Sequence, residues 1–251
     1  MLHRLTLILL LIFTLSSSVL AQPINQSSPE ADWRTLFNGE NLDGWIIPEG
    51  DGGHWQVAGG VIDYDARSEA ADDKNLWTEE EFGDFELRLE WRLKETPFVN
   101  PNIMVIRPDG TPQRDADGEI VRLAMPDSDS GVYVRGTSKA QINIWSWPVG
   151  SGEIWGYRTD PEMPDEVRAG ATPNTFADNH IGEWNRFEIR VEGSRITVTL
   201  NGNTVIDDTE LPGLPGSGPI ALQHHGSLDE NGEWNSPPSL VQFRNIEIRE
   251  L

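Results

Sequence analysis

The chain has 251 residues, and its 41 acidic against 19 basic side chains give a formal net charge of −22. This charge argues against nucleic acid or an anionic membrane as a partner, because both need a basic surface. Cysteine is absent, which excludes disulfides, a thiol nucleophile and a lipidated cysteine.

Residues 1–21 have the pattern of an export signal. A short basic segment ends at Arg4, an apolar run extends from Leu5 to Leu15, and small residues end at Ala21. The apolar run is too short to span a bilayer as a helix. We therefore expect an exported protein, periplasmic or extracellular and not inserted in a membrane. The polar segment 22–31 is interpreted as a short tether, and 32–251 as one domain.

After residue 32 nearly every apolar run is short and alternates with polar residues. This period of two is typical of strands with one face in a core. Asn201-Gly202 predicts a two-residue hairpin between two such runs. The runs with this pattern are 85–91, 187–191, 196–200, 204–206, 219–225 and 241–248. With 24 glycines and 17 prolines between strands, the chain is predicted to be all-β and antiparallel.

Two stretches interrupt the strand pattern. Residues 97–126 are rich in proline, aspartate and glycine, and residues 158–180 have a similar composition. Both are predicted to be long loops inserted between strands, and long loops in a compact domain are usually functional or disordered.

The segments 127–135 and 141–147 carry the most information about function. Val132, Val134, Ile142 and Ile144 are predicted to face the core. The alternate positions would then present planar polar groups and flat aromatic rings, which suit sugar binding. An ordinary polar outer face is the alternative interpretation. The residues on these outward faces are Tyr133, Arg135, Gln141, Asn143, Trp145 and Trp147.

The same alternation separates two adjacent histidines. In the run 219–225, Gln223 and His225 share one face, while His224 belongs to the core side. Imidazole has a pKa suited to base catalysis near neutrality. His225 is therefore a candidate base, and a hydrogen-bonded structural histidine is the alternative.

The order of motifs resembles the 3-keto-disaccharide hydrolase domain family, across residues 32–251. The motifs that carry the resemblance are Leu36-Phe-Asn-Gly39, Leu42-Asp-Gly-Trp45, Trp55-Gln-Val-Ala-Gly-Gly-Val-Ile62, Phe82-Gly-Asp-Phe-Glu-Leu87, Asp129-Ser-Gly-Val-Tyr-Val-Arg135, Gly182-Glu-Trp-Asn185, Leu200-Asn-Gly202, Ile220-Ala-Leu-Gln-His-His-Gly226 and Phe243-Arg-Asn-Ile246.

This resemblance implies a concanavalin A-like β-sandwich, or jelly roll, exported by a bacterium. It also implies removal of a group from a sugar already oxidised at C3. One position departs from the family pattern. Members commonly place a Tyr-Glu pair before the glutamine of the next strand, where this chain has Ser138-Lys139-Ala140-Gln141. The role of that glutamate is therefore vacant or moved here.

A ketone at C3 acidifies the C2 proton, so that the C1 group can leave by elimination. That route needs a base, a cationic or hydrogen-bonding group for the enolate oxygen, and an acid for the departing oxygen. His225 and Arg135 are the candidates for the first two roles, with Glu90 or Glu153 as carboxylates. Arg135 would be within reach of His225, on the order of 10 Å, in one pocket. As alternatives, Arg135 is an ion-pair partner and Glu90 a solvated charge.

No cofactor motif is present in the sequence. Asp127-Ser-Asp129 and the acidic segment 115–119 have some Ca²⁺-loop character without a full loop signature. His54 and His180 are too scattered to predict a transition-metal site. We therefore expect no cofactor and leave a structural Ca²⁺ open.

Three functions remain after this reasoning. The first is an exported enzyme that cleaves 3-keto-disaccharides or 3-keto-glucosides. The second is a noncatalytic carbohydrate-binding module, and the third is an accessory domain that contacts polysaccharide or a partner protein. Substrate binding is assigned to Tyr133, Gln141, Asn143, Trp145, Trp147 and Gln223. Convergence of His225, Arg135 and a carboxylate would distinguish the enzyme from the binding module, which needs only Trp145, Trp147 and the amides.

Overall fold

A computed structural model of the protein describes residues 32–251. The predicted export signal (1–21) and tether (22–31) lie outside the described residues. The strands and short helices of the described part are, in chain order, β1 (Arg34–Thr35), β2 (Trp45–Ile46), β3 (Trp55–Ala58), β4 (Val61–Tyr64), β5 (Leu76–Phe82), β6 (Phe85–Leu93), β7 (Phe98–Met104), β8 (Arg122–Asp127), β9 (Asp129–Val134), β10 (Thr137–Trp145), α1 (Trp155–Arg158), α2 (Asp165–Gly170), β11 (Asn185–Glu192), β12 (Arg195–Leu200), β13 (Asn203–Glu210), β14 (Gly218–Leu222) and β15 (Val241–Glu250).

Two antiparallel sheets enclose one hydrophobic core. The larger sheet has the order β13-β12-β11-β6-β15-β4-β3, with β1 added beside β15. The smaller sheet has the order β10-β9-β14-β5-β2. The prediction of an all-β, antiparallel jelly roll is confirmed. Among residues 32–251 no helix has the length and apolar character needed to cross a membrane.

Strand β6 shows why the sequence folds in this way. Phe85, Leu87, Leu89 and the other residues of odd number are buried, whereas those of even number are half-buried on the outer face. Each large apolar side chain removed from water contributes about 1.5–3 kcal/mol. A shift of register by one residue would turn this whole set outward, and the alternation therefore fixes the register.

The hairpin predicted at Asn201-Gly202 joins β12 to β13. Both residues have positive φ, 51° and 79°. A two-residue turn with two positive φ angles matches the right-handed twist of its strands, and asparagine followed by glycine tolerates that backbone best. The prediction is confirmed.

The segments predicted as long loops contain regular structure. Most of 97–126 is the antiparallel ribbon β7–β8, which two isolated bridges extend, Ile106 to Pro112 and Arg114 to Ile120. The loop prediction for this segment is wrong because its strands are largely exposed and carry no apolar alternation. In 158–180 the chain completes α1 and forms α2, helices of four and six residues. Helices so short leave no periodic pattern in the sequence.

Candidate functional site

The outer face of the smaller sheet contains a cleft of about 270 Å³, named here the His225 cleft. Strands β9 and β10, the segment after β14 and helix α1 supply its walls. Its lining residues are Asp129, Tyr133, Ser138, Gln141, Asn143, Trp155, Gln223 and His225.

The register of β9 against β10 positions the polar residues of the cleft. Tyr133 lies opposite Gln141, and Gly131 lies opposite Asn143. Side chains directly opposite each other share one face of a sheet. The alternate residues face the core as predicted, and each has zero exposure: Val132, Val134, Ile142 and Ile144. Tyr133, Gln141 and Asn143 line the cleft as expected, although they are more deeply buried than the partly open face that we predicted.

Gly131 leaves room for two glutamine side chains on the floor of the cleft. A Cβ atom at this position would lie 2.9 Å from Cγ of Gln141 and 3.0 Å from Oε1 of Gln223. Both distances are at or below the closest approach that real Cβ atoms make. The two glutamine side chains therefore occupy the space above this residue, and only glycine admits them.

Three side-chain amides form a network on this floor. Nε2 of Gln141 donates to Oε1 of Gln223 at 2.7 Å and also to Oδ1 of Asn143. This arrangement turns Nδ2 of Asn143 away from Gln141. That atom is buried and has no hydrogen-bond partner. A buried donor without an acceptor costs about 1–3 kcal/mol, so a ligand oxygen that accepted from it would be bound favourably.

His225 presents one ring nitrogen to the cleft. Its Nδ1 lies 2.5 Å from the carbonyl oxygen of Pro237, which only accepts, and Nδ1 therefore carries the proton. Its backbone is fixed on both sides by Ser239, whose Oγ accepts from the amide of His225 at 2.7 Å. In the neutral ring Nε2 is then an acceptor. It lies 3.9 Å from Oδ2 of Asp129.

Asp129 is the carboxylate of the cleft. Its Oδ1 is buried without a hydrogen-bond partner, and 19% of its side chain is exposed. Burial raises the pKa of Asp129 to about 7; His225 opposes this rise, whereas Asp127 and Glu153 add to it. Near neutrality this group therefore exchanges a proton readily, which is the property that a general acid or base requires.

His224 faces the core, as the alternation predicted. Its Nδ1 lies 2.6 Å from the hydroxyl of Tyr64, and its amide donates to Asn75 at 2.8 Å. Burial lowers the pKa of His224 to about 4. The ring is consequently neutral at physiological pH and serves the packing of the two sheets.

Arg135 does not line the His225 cleft, which corrects our prediction of a shared pocket. It follows the last residue of β9 and has a φ of 52°, so the strand alternation ends before it. The guanidinium donates to the carbonyl oxygens of Gly83, Gly193 and Pro215 at 3.0, 2.5 and 2.9 Å, and forms an ion pair with Asp84 at 2.6 Å. Arg135 therefore connects turns and loops between the two sheets, the ion-pair alternative stated above.

The two glutamates predicted as carboxylates also lie outside the cleft. Glu90 accepts from Nε of Arg244 at 2.6 Å on the outer face of the larger sheet. Glu153 is fully buried, 2.7 Å from Nε of Arg158, and burial raises its pKa to about 7. Its backbone carbonyl accepts from the amide of Asn143 at 2.9 Å. Glu153 thus lies behind the cleft wall, whereas Glu90 belongs to the other sheet.

Trp145 and Trp147 do not form a platform in this cleft. Their rings stack on each other at 4.3 Å, nearly parallel. Their indole nitrogens donate to the carbonyl oxygen of Gly150 and to Oδ2 of Asp127, at 2.7 and 3.1 Å. The aromatic walls of the His225 cleft are instead Tyr133 and Trp155.

Sequence reasoning missed three lining residues: Asp129, Ser138 and Trp155. Asp129 could have been found, because it shares the parity of Gly131 and Tyr133 on one strand. Trp155 begins a four-residue helix, and Ser138 lies within the register irregularity of β10 between Thr137 and Gln141. Neither residue therefore had a periodic signal.

The position of the family glutamate holds Lys139. Its Nζ lies 2.7 Å from Oδ2 of Asp160, beyond α1, and above the ring of Tyr157. Lys139 thus ties the segment after α1 to β10 and is not part of the cleft lining.

Two of the carboxylates considered for Ca²⁺, those of Asp127 and Asp115, accept hydrogen bonds from groups of the protein. Asp127 accepts from Asn100, Ser146 and Trp147. Oδ1 of Asp115 accepts from the amides of Asp117 and Glu119, as in a turn. Between residues 32 and 251, no three or more His, Asp or Glu side chains are grouped so as to hold a metal ion.

A family model described as the 3-keto-alpha-glucoside-1,2-lyase-like domain matches residues 32–249 of the chain. The chain belongs to this family. No curated protein matches it. Family membership relates the protein to carbohydrates, and at that coarse level it agrees with the resemblance in the motifs.

Solved structures resemble the fold. Three crystal structures are each described as a "putative glycosyl hydrolase" from Parabacteroides distasonis ATCC 8503. One is 24% identical with a TM-score of 0.57, covering 88% of this chain and 84% of its own. A second is 18% identical with a TM-score of 0.52, covering 87% and 94%. The third is 22% identical with a TM-score of 0.50, covering 88% and 100%. At these identities the likeness establishes the jelly-roll fold alone.

Proposed function

We propose that this protein cleaves the glycosidic bond of 3-keto sugars by removing the C2 proton and eliminating the C1 group. The observation that carries the proposal is the pairing of Nε2 of His225 with Oδ2 of Asp129, 3.9 Å apart in one cleft. Family membership supports the substrate class.

The chemistry follows from the ketone. With a carbonyl at C3, removal of the C2 proton gives an enolate, and the enolate then expels the C1 oxygen as the C1–C2 double bond forms. The C2–H and C1–O bonds break, and the departing oxygen gains a proton. Addition of water to the unsaturated ketone would turn the elimination into net hydrolysis.

His225 is assigned the role of base. Its Nδ1 proton is held by the carbonyl oxygen of Pro237, so Nε2 is the nitrogen that accepts the C2 proton. The imidazolium produced would be stabilised by the nearby Asp129 when that group is ionised. A base must lie within hydrogen-bond reach of the proton that it removes. His225 lines the cleft and 35% of its side chain is exposed, so the ring is accessible to a sugar bound there.

Asp129 is assigned the protonation of the departing oxygen. A carboxyl whose pKa burial raises to about 7 retains its proton for a large part of the time near neutrality. A carboxyl with an ordinary pKa of about 3.9 would retain almost none. The amide Nδ2 of Asn143, buried without a partner, is available as a donor to the enolate oxygen at C3.

The test is to assay the purified protein on a 3-keto glucoside and on its unoxidised parent. We expect turnover of the keto sugar alone, because an imidazole cannot remove the far less acidic C2 proton of the parent. His225→Ala should lower kcat by roughly 10²–10⁴, the usual contribution of one general acid–base group. His54→Ala is the matched control, since His54 pairs with Asp65 away from the cleft; its kcat should be unchanged.

Two outcomes would overturn the proposal. Equal cleavage of the keto and parent glycosides would refute elimination. Tight binding of a keto sugar with no turnover, in the wild type as in His225→Ala, would favour the noncatalytic binding module.

A further inference from the structure

A second cleft, of about 350 Å³, has no lining residue in common with the His225 cleft. Its lining includes Trp91 of β6, in the larger sheet, and Trp145 of β10, in the smaller sheet. It is named here the Trp91 cleft. Its volume falls within the range of small-molecule sites, about 300–1,000 Å³. Other lining residues are Met125, Phe176, Asp178, Ile181 and Asn185.

The indole N–H of Trp91 has no acceptor. The side chain is only 2% exposed, and its Nε1 is buried without a hydrogen-bond partner. Buried indole N–H groups usually find a partner. Trp91 lines the cleft, and a ligand acceptor that reached Nε1 would give this donor the partner that it lacks.

The rim of the cleft is apolar and uncovered. Phe176 is 61% exposed and Ile181 is 46% exposed. On the inner side, Trp145 is fixed in place by its stack on Trp147 and by its bond to Gly150. A flat ring that entered the cleft would cover Phe176 and Ile181 and contact a rigid aromatic wall.

Two polar side chains of the lining, those of Asp178 and Asn185, are engaged with the protein. Oδ2 of Asp178 accepts from the amide of Ser151 at 2.9 Å. Oδ1 of Asn185 accepts from the amide of Asn179 and from Nδ2 of Asn201, both at 2.8 Å. A sugar with many hydroxyl groups would find few free partners on these atoms, and the net charge of −22 disfavours an anion.

We propose that the Trp91 cleft binds a planar, uncharged, mostly apolar molecule that carries one oxygen acceptor for the indole N–H of Trp91. The proposal is independent of the proposed function, because the two clefts share no residue. Either of the two proposals can therefore be refuted without affecting the other.

The experiment uses 1-indanone, a flat bicyclic ketone, and indane, the same ring system without the oxygen. The indole region of a ¹⁵N–¹H correlation spectrum is recorded during titration of the ¹⁵N-labelled protein. The Trp91 peak is identified by its loss in Trp91→Phe. We expect 1-indanone to move that peak downfield and to saturate. Indane should bind about three- to tenfold more weakly, the effect of one hydrogen bond.

Two variants make the test specific. Phe176→Ala should weaken 1-indanone several-fold, because it removes the ring that the ligand covers. Val99→Ala is the matched control: Val99 is 60% exposed and outside the cleft lining, and its substitution should leave binding unchanged. The proposal is overturned if the Trp91 peak does not move at about 10 mM 1-indanone, if indane binds equally well, or if Val99→Ala weakens binding as much as Phe176→Ala does.

Discussion

At the scale of single residues, the side-chain alternation of β9, β10 and β14 determines which groups reach the His225 cleft. His224 and His225 are adjacent, yet one packs against Tyr64 in the core and the other faces Asp129. The alternation of the run 219–225 predicted this division, although β14 ends at Leu222 and both histidines lie in the segment that follows it. It could not predict the position of Arg135, where a positive φ ends the alternation at the last residue of the motif.

Asp129 should make stability depend on pH in a specific direction. Burial raises its pKa to about 7, above the value of about 3.9 expected in the unfolded chain. Between these values the unfolded state loses the proton while the folded state keeps it, so the contribution of Asp129 to stability falls as pH rises. Asp129→Asn removes this penalty. The Tm of the variant minus that of the wild type should therefore increase from pH 4 to pH 7 and then level off, as measured by calorimetry.

Asp109→Asn is the control with the opposite sign. Asp109 is exposed, and its hydrogen bonds to Thr111 lower its pKa. Folding thus favours the ionised form of Asp109. Its substitution should lower the stability slightly above the pKa of Asp109 in the unfolded chain, and not at all below its pKa in the folded protein. Parallel Tm curves for wild type and Asp129→Asn across this pH range would show that the folded pKa of Asp129 is not raised.

At the scale of elements, the long alternating strands were predictable and the segment between β10 and β11 was not. Trp155 reaches the His225 cleft from α1, a helix of one turn. Glu153, just before this helix, pairs with Arg158 at its end, 2.7 Å apart and both buried. The ion pair closes the turn that carries Trp155, and β10 is joined to the same turn through Asn143. Contacts of this kind hold the turn in place without any periodic pattern in the sequence.

We predict that Arg158→Met destabilises the protein by about 3–5 kcal/mol, since Glu153 loses the cation that lowers its raised pKa and must be buried either as an unpaired charge or after taking up a proton. Denaturant unfolding measures the change. The double variant Glu153→Gln/Arg158→Met should recover most of the loss, because no unpaired charge remains. Arg195→Met is the matched control. Arg195 forms exposed pairs with Asp208 and Glu210, and its substitution should change the free energy of unfolding far less than Arg158→Met does.

A single variant as stable as the wild type would show that the buried pair makes no net contribution. A double variant less stable than Arg158→Met would show that the two side chains act through shape and not through charge.

At the scale of the whole molecule, the fold was predictable because many strands show the same sequence pattern. The same alternation recurs in strand after strand, and the outer face of the larger sheet carries the complementary charges. Arg88 pairs with Glu247, Arg190 with Glu86 and Arg244 with Glu90, each at 2.6 Å. This pairing explains why Glu90, predicted as a catalytic carboxylate, belongs to a surface network. A site assembled partly from loops and irregular strand ends has less such repetition. Of its eight lining residues the sequence predicted five, and it missed Asp129, Ser138 and Trp155.

Export remains a prediction at this scale. If residues 1–21 are a signal, the full chain expressed in a bacterium should be recovered outside the cytoplasm with a mature protein that begins at Gln22. Intact-mass spectrometry of the periplasmic and medium fractions measures this directly. Replacing Ile8 and Leu10 by arginine would break the apolar run and should retain the protein in the cytoplasm. Recovery of the uncleaved chain in the cytoplasm from the unaltered gene would contradict the prediction.

The position of Arg135 has a consequence for comparative genomics. Its guanidinium holds three carbonyl oxygens and one carboxylate, and lysine has neither the planar fork nor enough donors to replace it. Natural selection would therefore retain this arginine in homologues that have lost all activity as firmly as in active ones. In an alignment such a column would look catalytic. If Asp129 acts as proposed, its column would be the one to diverge in inactive homologues, and surveys that separate enzymes from non-enzymes in this family should then score position 129 and disregard position 135.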